Sequence, residues 1–365
     1  MPVKIKTTPT IIPTMTPTMT NRITRTIGVV IMASFVTVGS GAVLAADKAP
    51  EVTLRAHHFM SSKANLHTKF LVPFAESIVA ASDGRIKIEI FDSMSRGGPP
   101  SGLYDRAVGG ADDIILTLPG YTSGRFNRSE VFELPFIMED PVATSKAFWD
   151  LTEAELQDDE FQDVKILASW VHGPGVLHAD KPIISLEDMK GRELRGPTRV
   201  VTDLLGELGA SPVGMPLPKI PENLSKGVIS GASLPWEVTP SIKLGEMVKN
   251  HTEFGGDRAL YTATFILAMS WDTYEALPAD LRDIIDAQSG KSLSQFAGAV
   301  MSDADKLGRD EYGGNNIVTL PASETARWIE AATPVYDRWI ERAATKGFDG
   351  KAAIAQAQKL IAANK

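Results

Sequence analysis

Cysteine is absent from all 365 residues. That excludes a disulfide framework and thiol chemistry, and it is compatible with an oxidising compartment. Long apolar runs are scarce as well. The run Ile27 to Val38 holds about a dozen residues, fewer than the roughly 20 a membrane-spanning helix needs. There is no Gly-x-Ser-x-Gly elbow, no glycine loop of the kind that cradles phosphate, and no pair of carboxylates that the pattern places at a crevice edge, so the usual signatures of catalysis are missing. Positive charge is in short supply: 37 Lys plus Arg stand against 45 Asp plus Glu, a formal charge of −8. Four of the basic residues, Lys4, Lys6, Arg22 and Arg25, lie in the first 45 residues, which carry no acid, so their removal takes −8 to −12. Such a chain is not drawn to nucleic acid or anionic lipid, and any anionic ligand must be held by local charge against the overall field.

The basic residues, the apolar run and the small residues ending Val43-Leu44-Ala45-Ala46 have the layout of a secretory signal cleaved near Ala45 or Ala46. An uncleaved anchor is the alternative. The repeat Pro13-Thr14-Met15-Thr16-Pro17-Thr18-Met19-Thr20 leaves Met15 and Met19 open as starts of translation. About 320 residues remain beyond the lead segment, more than one core usually holds, so two domains are expected. No repeat or low-complexity linker follows residue 50.

Short apolar runs then alternate with helical patterns. Val52–His57, Arg85–Phe91 and Asp113–Leu118 read as strands, Leu66–Ala81 and Pro99–Val108 as the helices between them. That order predicts an α/β fold with a parallel, covered sheet. A helix over Asp140–Asp158 precedes strands at Lys165–Val171 and Val176–Ala179. Ser185-Leu186-Glu187-Asp188 reads as a Ser-capped short helix. Further on, Tyr261–Met269 reads as a buried strand, Pro278 to about Gly308 as one long helix, Ile317–Leu320 as a last strand, and Ser323–Lys346 and Lys351–Asn364 as terminal helices.

The stretch from Gly191 to Glu237 carries the most information. Gly191-Arg192-Glu193-Leu194-Arg195-Gly196-Pro197 is a short strand whose Gly and Pro end it just after Arg195. A guanidinium at a strand end projects into the crevice where open α/β sheets bind ligands, and it would hold a carboxylate through two parallel hydrogen bonds. Arg195 taken alone reads equally well as half of a surface ion pair. Its company shifts that balance. Gly-x-x-Leu-Arg, followed by Leu208-Gly209-Ala210-Ser211-Pro212-Val213-Gly214-Met215-Pro216 and Gly227-Val228-Ile229-Ser230-Gly231, resembles the solute-binding proteins of tripartite ATP-independent periplasmic (TRAP) transporters, the DctP-like family. The resemblance extends to Ser82-Asp83-Gly84-Arg85-Ile86, Glu133-Leu134-Pro135-Phe136 and Leu277-Pro278-Ala279-Asp280-Leu281-Arg282.

The resemblance implies a two-domain periplasmic binding protein fold with a ligand cleft between domains, crossing strands and a long bracing helix. The expected layout is a signal peptide over 1–45, a first α/β domain over 46–175 completed by a segment around 253–310, a second over 176–252, and C-terminal helices over 311–365. It implies that Arg195 binds the carboxylate of an organic acid, and that the partner is a TRAP membrane permease. No cofactor, metal or nucleic acid is expected, and the chain is expected to be a monomer in the periplasm.

Strand ends at the crevice supply the other candidates: His57, His58 and Phe59; Pro119, Gly120 and Tyr121; Trp170, His172 and Gly173; Met215 and Leu217; Leu234 and Trp236. Most are apolar or aromatic, as a closed small-molecule pocket requires, although Trp170 also reads as core. The histidine spacings match no ligand set on one helix face, so His58 and His172 are read as hydrogen-bonding groups and His67 as a surface or cap residue. Members of the family that bind sialic acid carry an extra Arg near Gly175 and an Asn at Leu234. Metal-assisted keto-acid binders carry Glu-Trp at Ser233-Leu234. This chain lacks both sets, which points to a monocarboxylate with an apolar or aromatic body, with or without a 2-oxo or 2-hydroxy group. An enzyme acting on a carboxylate, or a protein presenting its ligand to a sensor, are the other readings.

Overall fold

The computed structural model describes residues 49–312 and 314–365; the expected signal segment lies outside them. Among the described residues eleven strands form two sheets. The first has the order β2 (Ile86–Phe91), β1 (Val52–His58), β3 (Ile114–Thr117), β10 (Thr264–Ser270), β4 (Val164–Val171). The second runs β11 (Asn316–Leu320), β9 (Asn250–Phe254), β5 (Val176–Ala179), β8 (Gly231–Leu234), β6 (Glu193–Gly196), β7 (Ser211–Gly214). The central strands β3 and β10 are buried at every position, which is why they read as continuous apolar runs rather than alternating ones.

The parallel pairing expected of the first three strands forms, β1 lying parallel to both β2 and β3, while later strands reverse. β10 runs antiparallel to both β3 and β4, and β5 antiparallel to β8 and β9. Both reversed strands directly follow a crossing between the sheets, β4 to β5 and β9 to β10, so each enters its new sheet from the shared cleft. The two crossing segments run side by side. Gly175 N donates to Tyr261 O at 3.0 Å, and Thr262 Oγ1 to His172 O at 2.6 Å. Gly175 is required there, because a Cβ would lie 2.0 Å from the Tyr261 ring. Tyr261 to Ala263 therefore belong to the crossing, and β10 begins only at Thr264.

The expected helix from Pro278 to Gly308 is two helices, Ala279–Ala287 and Lys291–Glu311. Gly290 breaks it with φ of 91° and ψ of −153°, a region open to glycine alone. Its amide donates to Leu167 O of β4 at 2.7 Å. The second helix braces both sheets through small residues. A Cβ on Gly298 would meet Ser145 Oγ at 2.6 Å, on the first-sheet helix Pro141–Leu151, and one on Gly308 would meet Trp236 O at 2.3 Å, just after β8.

Candidate functional site

The strand end that presents Arg195 forms as the sequence predicts, and its surroundings are more specific than the sequence could show. Arg195 is 2% exposed. Its Nε donates to Met215 O at 2.9 Å and its Nη1 to Ser233 O at 3.0 Å. Both carbonyls follow from local sequence, since β7 and β8 flank β6 and end beside it. Among the described residues Arg195 makes no ion pair; beyond the two carbonyls its side-chain neighbour is the Tyr121 hydroxyl. Burial lowers the pKa of the guanidinium, with Tyr121 and Tyr261 acting the other way; from a starting value near 12.5 it keeps its charge. A buried cation without a counter-charge is costly, and an incoming carboxylate would remove that cost. Because the Nε edge is occupied, the free fork is the end formed by Nη1 and Nη2.

Arg195 borders a cavity of about 370 Å³. The space is therefore narrow and suited to one compact body. Its walls include Phe59, Met60, Leu118 and Tyr121 from the first lobe, Leu217 and Leu234 from the second, and Tyr261, Ala263 and Phe265 from the crossing and β10. Phe59 meets Tyr121 edge-on at 5.2 Å between ring centres. The Tyr121 hydroxyl accepts from Leu217 N at 3.1 Å, which links the lobes beside the cavity.

His172 also borders this space and is 3% exposed. Its Nδ1 donates to Gly173 O at 2.5 Å. Burial, with the positive charge of Arg195, lowers its pKa to about 4, so the ring is neutral and Nε2 is left as an acceptor. Glu237 is 3% exposed at the same cavity, and burial beside Asp305 raises its pKa to about 8. It was not among the residues singled out from the sequence.

Several sequence candidates stand away from this cavity. His58 Nε2 lies 2.8 Å from His67 Nδ1, so His67 is half-buried as its partner rather than a surface or cap residue, and burial lowers the His58 pKa to about 3. His57 Nδ1 meets Asp112 Oδ2 at 2.8 Å beside Arg96 and Arg106. Trp170 stacks behind the wall residue Phe265 at 5.6 Å, with its Nε1 on Met301 Sδ. Met215 contributes its carbonyl to Arg195, and its side chain belongs to an outer groove together with Gly120. Trp236 turns the other way, onto His178 and His251, with Nε1 on Glu253. Gly120 makes a close approach between lobes: a Cβ there would lie 2.4 Å from Thr198 Cγ2. Strand-end position thus locates the crevice, but which way each side chain turns depends on packing from distant segments.

The lobes also meet away from the cavity. Arg199, opening the helix Arg199–Glu207, bonds Glu130 Oε1 at 2.8 Å and Asn127 Oδ1 at 2.8 Å. Asn65 Nδ2 donates to Glu237 O at 2.8 Å. Among the described residues no group of three or more His, Cys, Asp or Glu is placed to hold a metal ion.

A cleft between two α/β lobes, with a buried Arg and a narrow apolar cavity, defines a receptor for a small organic anion. The chain belongs to the bacterial extracellular solute-binding protein family 7, DctP, whose model matches residues 56–342. Members of this family are solute-binding receptors of TRAP transporters rather than enzymes. The chain is 47% identical to a TRAP solute-binding protein from Rhodoferax ferrireducens T118 solved with copurified benzoate, with a TM-score of 0.84 over 86% of this chain and 98% of that one. A marine metagenome TRAP solute-binding protein specific for aromatic acid ligands, solved with 3-hydroxybenzoate, is 38% identical with a TM-score of 0.85, over 87% of this chain and all of that one. The C4-dicarboxylate-binding periplasmic protein DctP of Rhodobacter capsulatus is 25% identical over 277 residues, 74% of this chain and 81% of that one. No described helix is long and apolar enough to cross a membrane.

Proposed function

We propose that the chain captures a monocarboxylate with a compact aromatic or apolar body in the periplasm and, as a monomer, delivers it to a TRAP permease. The observation that carries this reading is Arg195: a fully buried cation held by two backbone carbonyls, without a carboxylate partner, at one end of a narrow apolar cavity. The benzoate and 3-hydroxybenzoate held by the two similar structures are compact aromatic monocarboxylates, the chemistry that a buried Arg among apolar walls favours. Arg195 takes the carboxylate through Nη1 and Nη2, while Phe59, Tyr121, Leu217, Leu234 and Phe265 cover the body. A C4-dicarboxylate fits less well, because this lining offers one cation, Arg195, and its charged alternative, Glu237, is itself a carboxyl. A second carboxylate would have to be desolvated without a partner. His172, which borders the cavity with Nδ1 on Gly173 O, would accept from a 2-hydroxy group through Nε2; His58, turned to His67, would not.

Ligand binding to the contacting lobes supplies the bias toward the closed form. The test is thermal unfolding of residues 46–365 against benzoate, mandelate, succinate and a sugar acid. Stabilisation by the aromatic acids supports the reading. Succinate or the sugar acid binding more than tenfold tighter would overturn it.

A further inference from the structure

Arg195 and Glu237 border one cavity and do not pair. Among the described residues Glu237 is bonded only through its main chain: its amide donates to Asp305 Oδ1 at 2.7 Å and its carbonyl accepts from Asn65 Nδ2 at 2.8 Å. Its carboxyl has no protein partner although the residue is 3% exposed. Its oxygens are not sealed in the protein interior, so a group entering the cavity can reach and bond them. Proximity to Arg195 would satisfy it and would abolish the free fork; instead the charge that acts on Glu237 is that of Asp305. The lining therefore carries one cation and one carboxyl that do not pair, among apolar walls.

The placement of Glu237 is built rather than incidental. It lies in the short turn Trp236–Val238 after β8, against the helix Lys291–Glu311. Gly308 lets that helix approach, and Asp305, one turn earlier, accepts the Glu237 amide. Asp305 also presses on the crossing segment, since a Cβ on Gly173 would lie 1.7 Å from its Oδ2. These contacts fix the turn from behind and leave the Glu237 side chain to the cavity.

We propose that Glu237 determines specificity by hydrogen-bonding a hydroxyl on the ligand body. This rests on the reading of Arg195 as the carboxylate site. A neutral hydroxyl suits the position better than an ion. A second carboxylate would meet Asp305 and Glu237, and the carboxyl of Glu237 is itself held toward its neutral form, in which it donates and accepts. The pocket would thus select hydroxylated aromatic acids over their unsubstituted parents.

The experiment is calorimetric titration of the wild type, Glu237→Gln and Glu237→Met with benzoate, 3-hydroxybenzoate, 4-hydroxybenzoate and 3-(aminomethyl)benzoate. The wild type is expected to prefer one hydroxybenzoate over benzoate by about five- to tenfold, the worth of one buried hydrogen bond. Glu237→Met should erase that preference, lowering affinity for the hydroxybenzoate by that factor more than affinity for benzoate, and Glu237→Gln should keep most of it. An unchanged preference in Glu237→Met, an equal loss for benzoate and hydroxybenzoate, or tighter binding of the cationic acid would each overturn the assignment. If the wild type binds benzoate without discrimination, only the role of Glu237 falls. If it binds none of the acids, the carboxylate reading falls with it.

Discussion

Arg199 and Glu130 meet at 2.8 Å across the cleft, the guanidinium from the second lobe and the carboxylate from the first. Glu130 is 5% exposed at its side chain and Arg199 24%, so removing the Arg strands a buried carboxylate whose pKa burial already raises. The pair exists only while the lobes touch. Arg199→Ala should therefore weaken ligand binding by about 1–3 kcal/mol, below the range for a fully buried pair because Arg199 is partly solvated. Calorimetry with benzoate measures it. Small-angle scattering should show the liganded variant expanded relative to the wild type.

Gly120 supplies a second test of closure. A methyl at its Cβ position would lie 2.4 Å from Thr198 Cγ2 and 2.8 Å from Thr198 Cβ. Gly120→Ala should hold the lobes apart and lower affinity by about tenfold or more, since overpacking costs roughly 1–3 kcal/mol. Adding Thr198→Gly should restore binding. Unfolding of the ligand-free protein should change little, because the clash arises only on contact between lobes.

Gly290 separates the two helices at a conformation with φ of 91°. Gly290→Ala should lower stability by about 1–3 kcal/mol in urea unfolding. A continuous helix through that residue would instead make the alanine stabilising.

That break shows where the sequence was legible and where it was not. Strands β1, β5, β6 and β11 could be read from apolar runs closed by Gly, Pro or polar residues, and Ser185 does cap its short helix with Asp188 in a reciprocal box. Gly290 was visible too, but an isolated glycine in an amphipathic pattern is equally a tolerated helical residue. Only its bond to Leu167, more than a hundred positions away, makes it a boundary. Strand direction is not encoded in alternation, so β10 could not be told from a parallel strand. Glu237 reads in sequence as a solvated charge; its burial depends on Gly308 and Asp305 of a distant helix. Trp170, Trp236 and His58 lie at strand ends as predicted and turn onto Phe265, His178 and His67 instead of the cavity.

Glu237 also makes a pH prediction. Its pKa rises from an ordinary 4.5 to about 8 in the folded chain. The folded state thus holds a proton that the unfolded state releases between those values. The stability this contributes is fully present below about pH 4.5 and is lost as pH rises toward 8. Glu237→Gln removes the titration. The stability of the wild type relative to this variant should fall by a few kcal/mol between pH 5 and pH 8, measured by urea unfolding at each pH. A constant difference would place the Glu237 carboxyl in water.

The central claim is that Arg195 holds the ligand carboxylate with the Nη1 and Nη2 end of its guanidinium while Met215 O fixes Nε and Ser233 O takes one hydrogen of Nη1. Lysine keeps the charge but cannot make both backbone bonds and the fork together. Calorimetric titration of residues 46–365 with benzoate, wild type beside Arg195→Lys, tests this most directly. Arg195→Lys is predicted to lose at least about a hundredfold in affinity, on the order of 3 kcal/mol, while its unfolding remains cooperative. Affinity equal to the wild type would contradict the assignment of Arg195 as the carboxylate site.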